Sequence, residues 1–250
     1  MASIRSRLVN AIKISSFVEI TEAVNAGAHP DTADETGETA LMKAAKQGNA
    51  ACLSLLLSHG ANPSVSRPDG WSATMWAVAN GHGEALGILL AAGADPNSKA
   101  HDRSAVMESV RALSVQCLER LIEKQADIEY KDNKGLTAIF IACQSRSGVE
   151  CLKLLLRAGA SPNVADNNGV TPAMVAAIYG NAEGVGLLLA AGADPGATDK
   201  DGWSAARHAT HHKRADIGRA LDEMSRAMRE KCEISGGLGE ARARAIGVRI

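Results

Sequence analysis

Six residues with side-chain hydroxyls, Thr39, Ser72, Ser104, Thr137, Thr171 and Ser204, follow one another at intervals of 33, 32, 33, 34 and 33 residues. A second series keeps the same beat: Gly27-Ala28, Gly60-Ala61, Gly93-Ala94, Gly159-Ala160 and Gly192-Ala193, with Gln125-Ala126 in the one place where glycine is missing. The pentapeptide Asp-Gly-Trp-Ser-Ala occurs at Asp69–Ala73 and again at Asp201–Ala205, 132 positions later, which is four periods of 33. Two series in phase over most of a chain constrain its fold more than any other feature. Such a period means stacked units, each burying its apolar face against its neighbours. A length of 250 residues would allow one or two domains; the period predicts one elongated domain.

Inside each period the pattern is helical. Leu41, Ala44, Ala45, Leu53, Leu56 and Leu57 recur at three- and four-residue spacing, interrupted by Gln47-Gly48-Asn49. This predicts two short helices joined by a tight turn. Asn80-Gly81-His82 and Tyr179-Gly180-Asn181 make the same break. The Gly-Ala pair then supplies a left-handed helix end, and Pro63, Pro96, Pro162 or Pro195 prevents continuation. An Asp-x-x-Gly turn follows at Asp34–Gly37, Asp132–Gly135, Asp166–Gly169 and Asp199–Gly202. The next Thr or Ser is placed to cap the following helix.

The segment Asp166–Gly196 carries Thr171-Pro172-Ala173-Met174-Val175-Ala176 between its turn and its Gly-Ala pair. It resembles an ankyrin repeat, whose core phrase is Thr-Pro-Leu-His-x-Ala, and the resemblance runs from about Leu8 to Leu221. It implies an all-α solenoid of β-turns and antiparallel helix pairs. The expected organisation is an N-terminal capping pair at 1–33 and five repeats at 34–66, 67–98, 99–131, 132–165 and 166–198. A C-terminal capping repeat with a long last helix at 199–232 and a flexible basic tail at 233–250 complete it.

The chain departs from the family pattern in two ways. The family's core histidine, which ties neighbouring loops by hydrogen bonds, is replaced by Met42, Met75, Met107, Phe140, Met174 and Arg207; apolar packing must substitute. The third repeat lacks a glycine before Ser104, is one residue short, places Glu108, Ser109 and Arg111 where other repeats are apolar, and ends on Gln125. Either this repeat is locally weak or its oddities serve a partner.

The formal net charge of −1 gives no bulk attraction to nucleic acid or membrane, and no apolar run approaches the roughly 18 residues of a membrane span. Residues 1–18 contain Arg5, Arg7, Lys13 and no acid, a composition like that of an organelle transit peptide. Leu8, Ala11, Ile12, Phe17, Ile20 and Val24 keep the helix-pair pattern in phase, which favours a cap and a cytoplasmic location. Cys52, Cys117 and Cys151 share one slot on second helices and Cys143 takes an alanine slot. They are expected to be small buried hydrophobes in a reducing compartment, whereas Cys232 is a candidate free thiol.

No catalytic motif stands out. Gly81-His82-Gly83 lacks the strand a dinucleotide site needs. His208 and His212 share a helix face, but no further ligand completes a metal set in sequence. The chain is therefore expected to be non-catalytic, with no cofactor or metal and monomeric when alone. Its expected partner is another protein. The resemblance implies that this partner meets a concave surface of turn tips and first helices. The residue after each turn glycine would contribute: Glu38, Trp71, Arg103, Leu136, Val170 and Trp203. So would first-helix residues Lys46, Asn80, Arg111, Gln144, Tyr179 and His212. Trp and Tyr make good anchors because they offer large area at small entropic cost. Other roles for the same surface are an inhibitor or immunity-type protein occluding one enzyme, or a structural subunit of an assembly.

Overall fold

A computed structural model describes residues 4–227. They form helix pairs: α1 (Ile4–Ile14) with α2 (Phe17–Asn25), α3 (Ala40–Lys46) with α4 (Ala50–Ser58), α5 (Ala73–Ala79) with α6 (Gly83–Ala91), and α7 (Ala105–Arg111) with α8 (Val115–Glu123). Next come α9 (Ala138–Cys143), a single 3-10 turn at Arg146–Gly148, α10 (Val149–Arg157), α11 (Pro172–Tyr179), α12 (Ala182–Ala190), α13 (Ala205–His211) and α14, residues 215–227. Contacts divide the chain into two compact units. The first comprises residues up to Ala142 together with Glu150–Ala160; the second comprises Cys143–Val149 and the chain from Ser161 onward. The expected extension of the last helix to Met228 and Cys232, and the tail at 233–250, lie outside the described residues.

First helices of about seven residues and second helices of nine are too short to persist alone in water. They are held by packing. In the first unit α3 packs on α5 and α5 on α7, while α2, α4, α6 and α8 pack in sequence behind them. In the second, α11 packs on both α12 and α13. Leu41, Leu53, Leu56, Leu86, Leu89, Leu118 and Leu121 are buried between them. So are Met42, Met75, Met107, Phe140 and Met174, at the slot of the missing histidine. The side chains of Thr39, Ser72, Ser104, Thr171 and Ser204 each accept the backbone N–H three residues on, as helix caps do.

Methionine cannot replace the histidine's hydrogen bonds, and the link between repeats is made elsewhere. His82, in the turn before α6, places Nε2 3.2 Å from the Lys46 carbonyl oxygen at the end of α3; a carbonyl only accepts, so Nε2 carries the proton. Asn181, fully buried before α12, donates Nδ2 to the carbonyls of Cys143 and Ser145 at 3.4 and 3.0 Å. Both side chains sit between the two helices of one repeat and satisfy the open helix end of the preceding one. The projecting turns are linked too: Asn62 N–H donates to Asp31, Asp127 N–H to Asn97, and Asp194 N–H to Asn163, at 2.7 to 2.8 Å.

Four of the projecting turns are built on an aspartate. One oxygen of Asp34, Asp132, Asp166 and Asp199 accepts two backbone N–H groups, from the residues two and four positions on. Burial raises the Asp199 carboxyl, but the N–H of Trp203, the His208 imidazole and the N–H of Asp201 outweigh it, and its pKa falls below the usual carboxylate value. The same balance, with Thr36 and the N–H of Glu38 as donors, lowers Asp34.

The third repeat solves its shortened turn differently. β1 (Lys99–Ala100) pairs antiparallel with β2 (Arg103–Ser104), Ala100 opposite Arg103, which leaves His101 and Asp102 as a two-residue hairpin loop. Such a loop requires left-handed backbone at both positions, and they have φ of 47° and 61°. Against this hairpin packs Gly70, where a Cβ would lie 2.4 Å from the Lys99 carbonyl oxygen, so only glycine fits. Asp102 also accepts Tyr130 Oη at 3.0 Å and the Asn133 N–H at 2.6 Å, fastening this turn to the next. Of the six non-glycine residues with positive φ among those described, four are in this repeat: His101, Asp102, Leu113 and Gln125. Backbone strain is concentrated there.

Three measurements test this account. Gln125, exposed at φ 57°, occupies the place where other repeats have glycine at 83° to 95°. Gln125→Gly removes about 1 kcal/mol of strain without removing packing, and is expected to raise Tm by about 2–4 °C; an unchanged or lower Tm contradicts it. Asp199→Asn is expected to destabilise at neutral pH. A carboxylate with a depressed folded pKa stabilises above its unfolded value, about pH 4, and loses that effect as pH falls through the lowered value. The gap between wild type and mutant in denaturant midpoint should therefore close on acidification below pH 4. Finally, burial pushes Cys52 up to about 11 and Cys143 up to about 12, and shifts Cys117 and Cys151 upward as well. At pH 7.5 these four buried thiols should react with a thiol reagent only after denaturant is added.

Candidate functional site

The residue after each turn glycine stands one position before the helix cap, and it pairs with the fourth residue after the cap, on the first helix of its own repeat. The two are five residues apart: Glu38 with Lys43, Trp71 with Trp76, Arg103 with Glu108, Trp203 with His208. Lys43 Nζ lies 2.5 Å from Glu38 Oε2, and Arg103 Nε lies 3.4 Å from Glu108 Oε2. The rings of Trp71 and Trp76 are 4.2 Å apart at 33°, and those of Trp203 and His208 5.2 Å apart at 49°. The remaining pairs, Leu136 with Ile141 and Val170 with Val175, are apolar in both members, and all four residues are half-buried. Chemistry thus matches within each pair while varying from repeat to repeat.

Glu38 does not stand at the surface as its position in the series predicts. It is 5 % exposed, because Lys43, Lys46 and Arg67 converge on it and desolvate it. Lys46 Nζ reaches it at 3.9 Å and also lies 4.0 Å above the Trp76 ring of the next repeat, a cation–π contact. Arg67 Nη1 is 3.5 Å from Glu38, and Arg67 Nη2 is 3.0 Å from Asp69. Glu108, 1 % exposed, is held by Arg111 through two hydrogen-bonding nitrogens, with Arg103 alongside. Ser109, the other polar residue in this helix, donates Oγ to the Val106 carbonyl. The charges that set the third repeat apart are therefore compensated inside it. Burial of such a pair does little for net stability, but removing one partner would be costly.

The other expected contact residues fall as follows. Asn80 is exposed, but its Nδ2 turns back to the Trp76 carbonyl at 2.9 Å. Arg111 and Gln144 are exposed, Gln144 on the segment that joins the second unit. In that second unit Tyr179 is 55 % exposed. Trp203 is half-buried, with the Arg207 guanidinium 4.3 Å over its ring and His211 5.1 Å away. His212 is exposed beside His211. His208 does not share a free face with His212, since its Nε2 is engaged by Asp199 at 2.7 Å. Among the described residues no three His, Cys, Asp or Glu side chains are grouped to hold a metal, and no helix is long and apolar enough to cross a membrane.

Trp76 is the functional candidate that slot-by-slot reading misses. It faces the same way as Trp71 and Lys46, yet the series of turn glycines does not mark it. The signal that finds it is the matched pair: a second tryptophan five residues after the first, where the neighbouring repeats put oppositely charged residues five apart.

A family model described as ankyrin repeats (3 copies) matches residues 8–100, 88–166, 104–199 and 145–227. Among solved structures, the human ASB11 ankyrin repeat domain is similar, with 25% sequence identity and a TM-score of 0.75 over 86% of this chain and 96% of that one. In all, 545 chains of solved structures match, so the likeness identifies an architecture rather than a partner. No protein of curated function matches. Overlapping family matches from residue 8 to residue 227, on helix pairs whose caps, turns and buried slots repeat in phase, make this chain a member of the ankyrin repeat family.

Proposed function

We propose that this chain is, as ankyrin repeats in general are, a protein–protein interaction module, non-catalytic, and that it meets its protein partner through projecting turns and first helices. One observation carries the reading: Trp71 and Trp203 are half-exposed indoles, each braced from behind by an aromatic or imidazole ring of its own helix. A side chain fixed in this way loses little entropy when a partner covers it, and large aromatic side chains dominate interface energetics. In the first unit exposed Arg111 and half-buried Leu136 add a polar and an apolar contact; in the second, exposed Gln144, Tyr179 and His212 and half-buried Val170 do so. The reading includes a reducing, cytoplasmic setting, supported by four buried free thiols.

Affinity capture with the immobilised chain, followed by identification of bound proteins, tests it. A single enzyme whose activity is lost on binding identifies an inhibitor; a fixed stoichiometric complex identifies an assembly subunit; several unrelated proteins identify a scaffold. Trp71→Ala and Trp203→Ala should each weaken capture at least about tenfold, or 1.4 kcal/mol, when assayed well below their Tm. Each should also melt a few degrees lower, because a stacked aromatic pair contributes about 0.5–1.5 kcal/mol beyond its area. Lower Tm with undiminished capture would assign the indoles to packing alone.

A further inference from the structure

The first unit shows an imbalance between where its charges sit and where they can be reached. On the turn and first-helix face, five cations, Lys43, Lys46, Arg67, Arg103 and Arg111, share three carboxylates, Glu38, Asp69 and Glu108. The side chains of Glu38 and Glu108 are only 7 % and 1 % exposed, whereas those of Lys46, Arg103 and Arg111 are 40 %, 41 % and 53 % exposed. Glu38 and Glu108 lie beneath and Lys46, Arg103 and Arg111 on top; Asp69, 30 % exposed, is taken up by Arg67. A ligand arriving from solvent meets ammonium and guanidinium groups already pinned by buried counter-charges. Between them lies the Trp71–Trp76 pair, with the His101 ring 6.3 Å from Trp71 at its far side. The helices that carry these residues, α3, α5 and α7, pack side by side, so the slots are contiguous.

We propose that this face binds an acidic peptide segment of a partner protein, its carboxylates taken by Lys46, Arg103 and Arg111 and a bulky apolar side chain laid on the Trp71–Trp76 pair. The proposal rests on the protein-binding reading above and adds the partner's chemistry. Charge complementarity selects the occupant. Every cation has at least one donor outside its internal ion pair, since an ammonium has three N–H groups and a guanidinium five, while the buried carboxylates offer a basic peptide nothing to reach. The apolar side chain is required by the paired indoles, which a purely electrostatic ligand would leave uncovered. An acidic ligand is also consistent with the chain's net charge of −1, because the attraction is local to this face and acts within a Debye length of about 10 Å at 0.1 M salt.

The test uses the full chain and three fluorescein-labelled 12-residue peptides. Each contains two phenylalanines, with glutamate, serine or lysine at all other positions, and binding is read by anisotropy. The glutamate peptide should bind at least tenfold more tightly than the serine peptide, the lysine peptide should not bind, and affinity should fall several-fold between 50 and 300 mM salt. Lys46→Gln and Arg111→Gln should each weaken the glutamate peptide about three- to tenfold. Glu38 keeps Lys43 and Arg67 in the first variant and Glu108 keeps Arg103 in the second, so both should stay folded, which a melting curve verifies. Lys124→Gln, exposed at the end of the second helix α8, should change nothing. If the glutamate and serine peptides bind alike and both depend on Trp71, the acidic specificity is wrong while the face remains the binding face. Should Lys124→Gln matter and Lys46→Gln and Arg111→Gln not, binding lies on the second helices, and both readings fail. Displacement of the glutamate peptide by an equal concentration of a 12-base-pair DNA duplex would make the ligand a nucleic acid and overturn the proposal, as would absence of glutamate-peptide binding at 100 µM protein.

Discussion

Within each unit, every feature depends on the contact between one helix pair and the next. A pair of helices seven and nine residues long encloses no core of its own. Leu53 or Leu86 becomes buried only because another pair lies against it. Isolated helices of that length are marginal in water, so local helix stability and repeat stacking arise together. This is why the interior is built from Leu, Ala, Met and Val rather than from large aromatics: thin layers approach closely, and small or unbranched side chains fill the gap. It is also why the few polar atoms that cross between layers matter. His82 and Asn181 each close the C-terminal end of a first helix in the preceding repeat, and an open carbonyl buried there would cost about 1–3 kcal/mol.

The fold was legible because a stacked array writes its structure many times. A single Thr before an apolar run is weak evidence of a cap; six hydroxyl residues at a 33-residue beat are strong evidence, and the side chains of Thr39, Ser72, Ser104, Thr171 and Ser204 indeed cap α3, α5, α7, α11 and α13. The same logic explains what was not legible. Features that occur once have no period to reveal them. The hairpin at His101-Asp102 arises from a one-residue deletion, and no glycine marks its left-handed residues. The replacement of the missing histidine's link was hidden because it uses different residue types, His82 in one repeat and Asn181 in another, at a turn that reads as mere breaker sequence. Of the candidate contact residues, the positions in the series could be listed from the turn glycines. Whether each side chain faces water could not, because Glu38 is buried by cations from other positions, one of them in another repeat.

Glu38 and Glu108 show how a chain of near-zero net charge can present a patch rich in exposed cations. Burying an ion pair brings little net stability, since desolvation offsets the attraction. What it does bring here is order in the cations. Lysine and arginine side chains lose up to about 2 kcal/mol of rotamer entropy when fixed; Lys46 and Arg111 are already held in the free protein, by Glu38 together with Trp76 and by Glu108. A ligand that meets held cations has less ordering left to do than one that meets free lysines.

The matched pairs carry this further. In each repeat the residue before the cap and the residue four after it are either opposite in charge, both aromatic or imidazole, or both apolar. The spacing follows from geometry: the turn brings its last residue back over the first full turn of the helix, so whatever leaves the turn must rest on that helix position. The second member of the pair is therefore not free once the first is chosen. Placing a tryptophan opposite Glu108 would leave Arg111 alone to hold a carboxylate that is 1 % exposed, and a glutamate opposite Trp76 would set a charge against an indole in place of a stacked ring. The face of turns and first helices is thus composed in two-residue units, each member matched to the other. Its chemistry can vary from repeat to repeat, as it does between Glu38–Lys43 and Trp71–Trp76, while the stacking beneath stays the same.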